Sequence, residues 1–100
     1  MRNIILVCAA GMSTGMLVKK IREAAASENY EAEINAYPIA EVGAMGKEAD
    51  IILLGPQVRY NLNNVKAQFP DKPVEAIDPA LYGMLDGKGV IAKVKKKLGD

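Results

Sequence analysis

The one cysteine of this sequence, Cys8, ends an apolar run and is followed by a short segment of small and hydroxyl-bearing residues. Backbone N–H groups in a loop that enters a helix bind anions, and glycine and alanine let the backbone approach the anion closely. The partial positive charge of these N–H groups also favours the thiolate form of a cysteine over the thiol form, and the thiolate is the nucleophile. The pattern therefore predicts a phosphoryl group on sulfur, with donors from the loop that follows: Ala9, Ala10, Gly11, Met12, Ser13, Thr14 and Gly15.

A structural interpretation of the same residues stays open at this point. An isolated cysteine is often a small buried hydrophobe that does no chemistry. The segment after it would then be a tight connection between a strand and a helix, with Ser13 or Thr14 as the helix cap. The place that the predicted strands and helices give to Cys8 decides between the two interpretations.

Composition narrows the classes of function. The 100 residues fit one domain, residues 1–100, and half of them are hydrophobic, enough for an ordinary core. A formal net charge of +1 argues against a nucleic-acid partner or a polybasic membrane anchor. With no histidine and one cysteine, the chain lacks a histidine-based triad, a phosphohistidine site, a disulfide and a cysteine zinc site. We expect no metal and no cofactor.

The expected location is the cytoplasm. The first apolar run, residues 4–10, is far shorter than the ~20 residues of a membrane span. Val7 is too bulky for a lipoprotein cleavage site before Cys8, so the mature chain is expected to start at Met1. A single reduced cysteine is typical of the same compartment.

Apolar runs alternate with helical patterns along the whole chain, which predicts an α/β fold. Two of the runs, residues 4–7 and 51–54, are continuous and rich in β-branched residues, as in strands covered on both faces. Strands are expected at residues 4–7, 31–37, 51–54 and 74–77, a loop at 78–83, and helices at 13–28, 39–47, 58–69 and 86–98. Right-handed crossovers then give a three-layer, flavodoxin-like parallel sheet of order 2-1-3-4.

Ligands of such sheets bind where the winding direction reverses, here between the first and third strands. Cys8 lies at that place, which favours the chemical interpretation. Three loops should meet there: residues 9–14, 55–60 and 78–82. They bring four secondary candidates. Gln57 is either a hydrogen-bond donor to a phosphate or a plain turn residue, and Tyr60 and Tyr82 are either rim residues or packing aromatics, of which we favour packing. Asp78 is a carboxylate that a phosphate carrier would turn away or bond to the loop.

The low-molecular-weight tyrosine phosphatases share this order of strand, phosphate loop and helix. They carry an arginine six positions after the cysteine and an aspartate on a later Asp-Pro loop, which Asp78 and Pro79 resemble. The sixth position after Cys8 is Thr14, so the guanidinium that stabilises a transferring phosphoryl group is absent. A phosphocysteine should persist here, as in a carrier. Thioredoxin-coupled arsenate reductases have a similar outline, but they need additional thiols to resolve their intermediate. This chain has no second cysteine, which argues against that activity. A phosphatase-like hydrolase and a binding module with Cys8 as spectator remain alternatives.

The sequence also resembles, over essentially its whole length, the cytoplasmic IIB component of the lactose/cellobiose (N,N'-diacetylchitobiose) class of the bacterial sugar phosphotransferase system (PTS). The segments that carry the likeness are CAAGMST at residues 8–14, ADIILLGPQV at 49–58, KPVEAID at 72–78, LYG at 81–83 and DG at 86–87. The resemblance implies that Cys8 takes phosphate from a phosphohistidine of a IIA protein. Cys8 then passes it to a sugar bound by a membrane IIC permease, with no cofactor. Gly15 stands where members often have a bulkier residue, so the helix start is expected to be looser.

Two surface features complete the sequence-based expectations. Met12 and Met16, beside the site, form an adaptable docking surface or only fill gaps. The lysines near the end of the last helix complement its dipole, and we interpret them as a solvated face rather than a docking patch. They are Lys93, Lys95, Lys96 and Lys97.

Overall fold

The computed structural model describes residues 1–9 and 15–100, and its sheet has the predicted order. All strand pairs are parallel, in the order β2-β1-β3-β4. The strands are β1 (Arg2–Cys8), β2 (Ala32–Pro38), β3 (Ile51–Leu54) and β4 (Val74–Ala76). The α/β class and the 2-1-3-4 order are confirmed.

The helical segments are more broken than the sequence predicted. The α-helices are α1 (Gly15–Ser27), α2 (Val42–Met45), α3 (Leu62–Gln68), α4 (Pro79–Gly83) and α5 (Gly87–Leu98). Three 3₁₀ segments accompany them, Ile39–Glu41, Gly46–Glu48 and Pro56–Asn61. The predicted helix at 39–47 is therefore three short pieces, in keeping with the low helix propensity of Gly43 and Gly46.

The predicted loop at residues 78–83 is wrong, because most of it is helix α4. The Asp78 side chain accepts a hydrogen bond from the Ala80 N–H at 2.8 Å, and Pro79 stands in the first turn. A capping aspartate followed by a proline with a fixed φ favours the start of a helix as much as a turn. This short helix positions Tyr82 at the carboxyl edge of the sheet.

Side chains of β1 alternate between two buried faces, which makes this strand the centre of a three-layer structure. Ile4 and Leu6 pack with α1 and α5, whereas Ile5 and Val7 pack with residues of α2 and α3. All four are at most 1% exposed. Burial on both faces explains why the strand lacks polar alternation. It also places β1, and Cys8 at its end, in the buried centre of the fold.

A cluster of hydrogen-bonded polar side chains, the charged clasp, lies at the amino-terminal ends of the strands and consists of Arg2, Tyr30 and Asp100. Arg2 donates to both carboxylate oxygens of Asp100, at 2.9 and 2.8 Å, and Tyr30 donates to the same carboxylate. The hydrogen bonds from Arg2 and then Tyr30 lower the pKa of Asp100 to about 2. Burial, and then the hydrogen bond to Asp100, raises the pKa of Tyr30 to about 12. The clasp ties the ends of the described chain together away from Cys8.

The half-buried Lys72 ammonium binds three backbone carbonyl groups in the segment before β3. Its Nζ donates to the carbonyl oxygens of Gly46 and Ala49, each at 2.8 Å, and also to that of Lys47. The ammonium lies 5.7 Å from the centre of the Phe69 ring. Hydrogen bonds from a charged donor are worth more than neutral ones. The Lys72 side chain thus stabilises the turn at residues 46–49, which leads into β3.

We expect Lys72→Met to lower the free energy of unfolding by about 1–2 kcal/mol, because it keeps the stem but removes the charged donor of three carbonyls. Urea unfolding checks this. Lys66→Met is the matched control, since Lys66 is an exposed lysine on α3. An equal loss in both variants would show that the carbonyl contacts contribute nothing.

Candidate functional site

Cys8 is the last residue of β1 and is completely buried, with 0% of its surface exposed. On one side it is in register with Pro38 of β2. On the other, the N–H of Gly55 donates to the carbonyl oxygen of Val7 at 2.8 Å. Burial alone is what a core cysteine would show, so the case for chemistry depends on the position: the carboxyl end of the central strand, between β2 and β3.

Most of the predicted phosphate loop lies outside the described residues. Ala9 is exposed and follows Cys8 directly, and Gly15, also exposed, begins α1. The candidates that fall outside the described part of the chain are Ala10, Gly11, Met12, Ser13 and Thr14. Strand and helix are nevertheless placed as the prediction requires, with Cys8 at the end of one and Gly15 at the start of the other.

Gly55 is the residue of the third strand's loop that stands beside the cysteine. A Cβ built on Gly55 would lie 3.8 Å from the Cβ of Cys8 and 2.9 Å from Oε1 of Gln57. The first distance is ordinary van der Waals contact, and the second is a clash with the end of a flexible side chain. Gln57 and Cys8 therefore both lie next to Gly55.

Gln57 and Tyr82 join two of the three predicted loops. Nε2 of Gln57 donates to the hydroxyl oxygen of Tyr82 at 3.1 Å. Tyr82 is half-buried and packs against the core formed with α1 and α5, so its interpretation as a packing aromatic is confirmed. The sequence showed each residue separately, but it gave no sign of this hydrogen bond.

Tyr60 and Met16 are exposed near the same edge. The interpretation of Tyr60 as a packing aromatic is wrong, because 78% of its surface is exposed. It lies in a 3₁₀ segment whose single buried residue is Val58. Met16, in the first turn of α1, is 59% exposed and fills no gap in the core. Exposed methionine and tyrosine side chains are common at protein–protein contacts.

The Asp78 carboxylate is bonded at the start of helix α4 and to a lysine of α5. Its Oδ1 caps α4 through the Ala80 N–H, and its Oδ2 lies 3.7 Å from Nζ of Lys93. A carboxylate engaged in this way is turned to its own helix start. Lys95 and Lys97 pair similarly with acidic side chains, at 2.6 Å from Glu28 and 3.6 Å from Glu75. These surface pairs are typical of a solvated helix face.

Among residues 1–9 and 15–100, no group of three or more histidine, cysteine or acidic side chains could hold a metal ion. No helix in those residues is long and apolar enough to span a bilayer.

Comparison with known proteins decides the family. The model of the PTS system lactose/cellobiose-specific IIB subunit matches residues 3–93. The chain belongs to this IIB family. It is 40% identical over 96 residues to the galactose-specific EIIB component of Lactococcus lactis subsp. cremoris, with 89% of each chain covered. It is 39% identical over 90 residues to the oligo-beta-mannoside-specific EIIB component of Bacillus subtilis, covering 88% and 87%.

Solved structures and longer relatives agree with this assignment. The solution structure of the cellobiose-specific IIB component from Borrelia burgdorferi is similar with a TM-score of 0.81 at 35% identity, covering 98% of this chain and 92% of that one. A lactose-specific EIICB component of Lactococcus lactis is 29% identical over 99 residues, which cover 95% of this chain and 17% of that protein. The chain is a sugar-specific IIB component of the cellobiose/lactose type, a phosphotransferase-type protein of sugar transport.

Proposed function

We propose that this IIB component carries a phosphoryl group on Cys8, taken from a phosphohistidine of a IIA protein and passed to a sugar held by a IIC permease. The observation that carries the proposal is the place of Cys8: the carboxyl end of the central strand, beside Gly55, where the sheet changes winding direction. We also propose that residues 1–100 act as one domain, which the family match over residues 3–93 supports.

The chemistry takes two displacements at phosphorus. In the first, the Cys8 thiolate attacks, an S–P bond forms, and the P–N bond breaks with its electron pair returning to the donor imidazole. In the second, a sugar hydroxyl attacks, an O–P bond forms, and the S–P bond breaks with its pair returning to Cys8. The hydroxyl proton passes to solvent or a base of the permease. Each step needs positioning and charge stabilisation more than further covalent groups.

Two features of the sequence suit a relay rather than a hydrolase. The chain has no histidine, so it has no imidazole of its own to serve as phosphate donor or as general base toward water. Thr14 stands at the position where the low-molecular-weight tyrosine phosphatases carry an arginine. Both features favour a phosphocysteine that waits for its acceptor.

The names of the relatives support a proposal for the partners and the sugar. The EIICB relatives carry a IIC and a IIB part under one name, which supports a IIC permease as the acceptor side and a cytoplasmic place at the membrane for this chain. The relatives are named for galactose, cellobiose and oligo-beta-mannoside. We infer a sugar of the cellobiose, chitobiose or lactose type. Sugar phosphate formation on permease-containing membranes with each of these sugars tests the choice.

We expect donor and acceptor to bind overlapping surfaces around Cys8, because the same sulfur must face each in turn. Amide shift mapping with the IIA protein should perturb residues 9–16 and 55–60 first and leave residues 93–97 quiet. Exposed Met16 and Tyr60 give this surface its apolar contacts. The interface should bury no more than ~1,200 Å² in total, as in transient complexes.

The IIC permease in detergent should compete with IIA in the same titration. Phosphorylation adds about two negative charges at this surface and should shift the preference from one partner to the other. Perturbations centred on Lys93, Lys95 and Lys97 would contradict the shared surface and identify the lysines as the docking patch.

The main alternative, a phosphatase-like hydrolase using Cys8, gives a separate result. Incubation with an aryl phosphate should release no phenolate above the level of Cys8→Ser, while sugar phosphate forms in the complete system. Steady hydrolysis of the aryl phosphate by the isolated chain would overturn the carrier assignment.

A further inference from the structure

Among the described strands, β2 pairs with β1 alone, so one side of its backbone forms an edge of the sheet. The N–H of Arg2 in β1 donates to the carbonyl oxygen of Glu31, just before β2, at 3.1 Å. In a parallel pair, residues whose N–H and C=O groups face the neighbouring strand alternate with residues whose groups face away. The outward residues of β2, whose backbone groups form its open edge, are therefore Ala32, Ile34 and Ala36.

Arg22 of α1 lies across this open edge. Its Nε donates to the carbonyl oxygen of Ile34 at 2.9 Å, and its Nη2 donates to Oδ1 of Asn35 at 3.0 Å. The Ile34 side chain packs on the face of the sheet that α1 covers. The Asn35 side chain lies on the opposite face, because side chains alternate along a strand. The guanidinium therefore spans the edge of β2 from one face of the sheet to the other.

A second copy of the chain is the partner that an open edge fits, because the unpaired backbone groups of one strand bind those of another. Two β2 strands that meet antiparallel about a twofold axis would exchange N–H···O bonds between their outward residues. In the register that uses all the outward residues, Ile34 faces Ile34 of the second copy on the axis, and Ala32 faces Ala36 of the second copy. The carbonyl that Arg22 binds is thus the central acceptor of that pairing.

We propose that Arg22 keeps the open edge of β2 from pairing with a second copy of the chain. A second strand would have to displace the guanidinium, and it would exchange a charge-assisted hydrogen bond for a weaker neutral one. Pro38 ends the same strand without an N–H to donate. The other edge strand, β4, is three residues long, and very short edge strands pair poorly. This role does not depend on the proposed phosphocarrier function.

Sedimentation velocity over a range of protein concentrations tests the role of Arg22. The wild-type chain should stay monomeric. Arg22→Met keeps an unbranched stem but removes both donors, and it should lower the dimer dissociation constant about tenfold or more, because the Ile34 carbonyl can then accept from a second copy. Lys19→Met is the matched control, since Lys19 is another exposed cation of α1, and this variant should behave as the wild-type chain does.

A second substitution locates the interface of the expected dimer. Ala32 is the first residue of β2, a position where strands tolerate proline, and its N–H faces away from β1. Ala32→Pro removes this outward donor, so the double variant Arg22→Met/Ala32→Pro should be monomeric again. The outward amides of Ile34 and Ala36 should exchange with solvent quickly in the wild-type chain and slowly in the Arg22→Met dimer.

Asn35→Ala approaches the same contact from the other end. It removes the acceptor that holds the guanidinium on the far face of the sheet, and it should strengthen dimerisation by a smaller factor than Arg22→Met. Because Arg22 is exposed, Arg22→Met should keep the fold, which thermal unfolding checks.

Three results would overturn the inference. The first is a folded Arg22→Met chain that is as monomeric as the wild-type chain. The second is a dimer that persists in Arg22→Met/Ala32→Pro, because the interface would then lie elsewhere. The third is equal dimerisation of Lys19→Met, because an added methionine and not the open edge of β2 would then be the cause.

Discussion

Replacing Cys8 by serine should abolish sugar phosphorylation by the complete system while leaving the fold in place. A serine hydroxyl is hardly ionised at neutral pH and is a far weaker nucleophile than a thiolate. The volume change is small, so the packing around the completely buried residue should adapt. The measurement is the rate of sugar phosphate formation with purified IIA and permease membranes, which should fall to background.

Cys8→Ala is the control for this prediction, because it removes the polar atom that serine would bury. Both variants should lose transfer, and in both the free energy of unfolding measured in urea should stay within ~1–3 kcal/mol of the wild-type value. Transfer that survives in either variant would mean that the phosphorylated residue lies elsewhere in the chain.

Thr14→Arg should shorten the lifetime of the phosphocysteine by roughly tenfold or more. A guanidinium at this position would stabilise the equatorial oxygens, where charge gathers during attack by water, and well-placed arginines accelerate phosphoryl transfer by as much as ~10³–10⁵. The change supplies the arginine that the low-molecular-weight tyrosine phosphatases carry six positions after their cysteine. Decay of the phosphorylated chain after removal of the IIA donor, followed by intact mass, gives the lifetime.

Thr14→Gln is the matched control, since it adds a long polar side chain without charge. It should leave the lifetime near that of the wild-type chain. An unchanged lifetime in a folded Thr14→Arg variant would show that the missing arginine is not what preserves the intermediate.

The sheet could be predicted from the sequence because its signals are local. Residues 4–7 and 51–54 are continuous β-branched and aliphatic runs, and the helical stripes between strands leave a parallel sheet as the simple solution. The order 2-1-3-4 followed from crossover handedness and from the most apolar strands taking the centre. The position of Cys8 at the carboxyl edge followed from that order.

The contacts around Cys8 could not be predicted, because they join residues far apart in sequence. Gly55 appeared as a turn glycine, and only the pairing of β1 with β3 shows that its missing side chain gives room beside Cys8. The Gln57–Tyr82 hydrogen bond depends on α4, a short helix whose Asp-Pro start is equally typical of a loop. The exposure of Tyr60 depends on a 3₁₀ segment in place of the predicted helix.

The most direct test of the account is the intact mass of the chain after incubation with phosphoenolpyruvate, the general phosphotransferase proteins and the IIA protein. The account predicts that the wild-type chain gains the mass of one phosphoryl group, that omission of IIA prevents the gain, and that Cys8→Ser shows none. Addition of permease membranes with the cognate sugar should return the mass to its starting value. An unchanged wild-type mass in the complete mixture, or the same gain in Cys8→Ser, would contradict the assignment of Cys8 as the phosphate carrier.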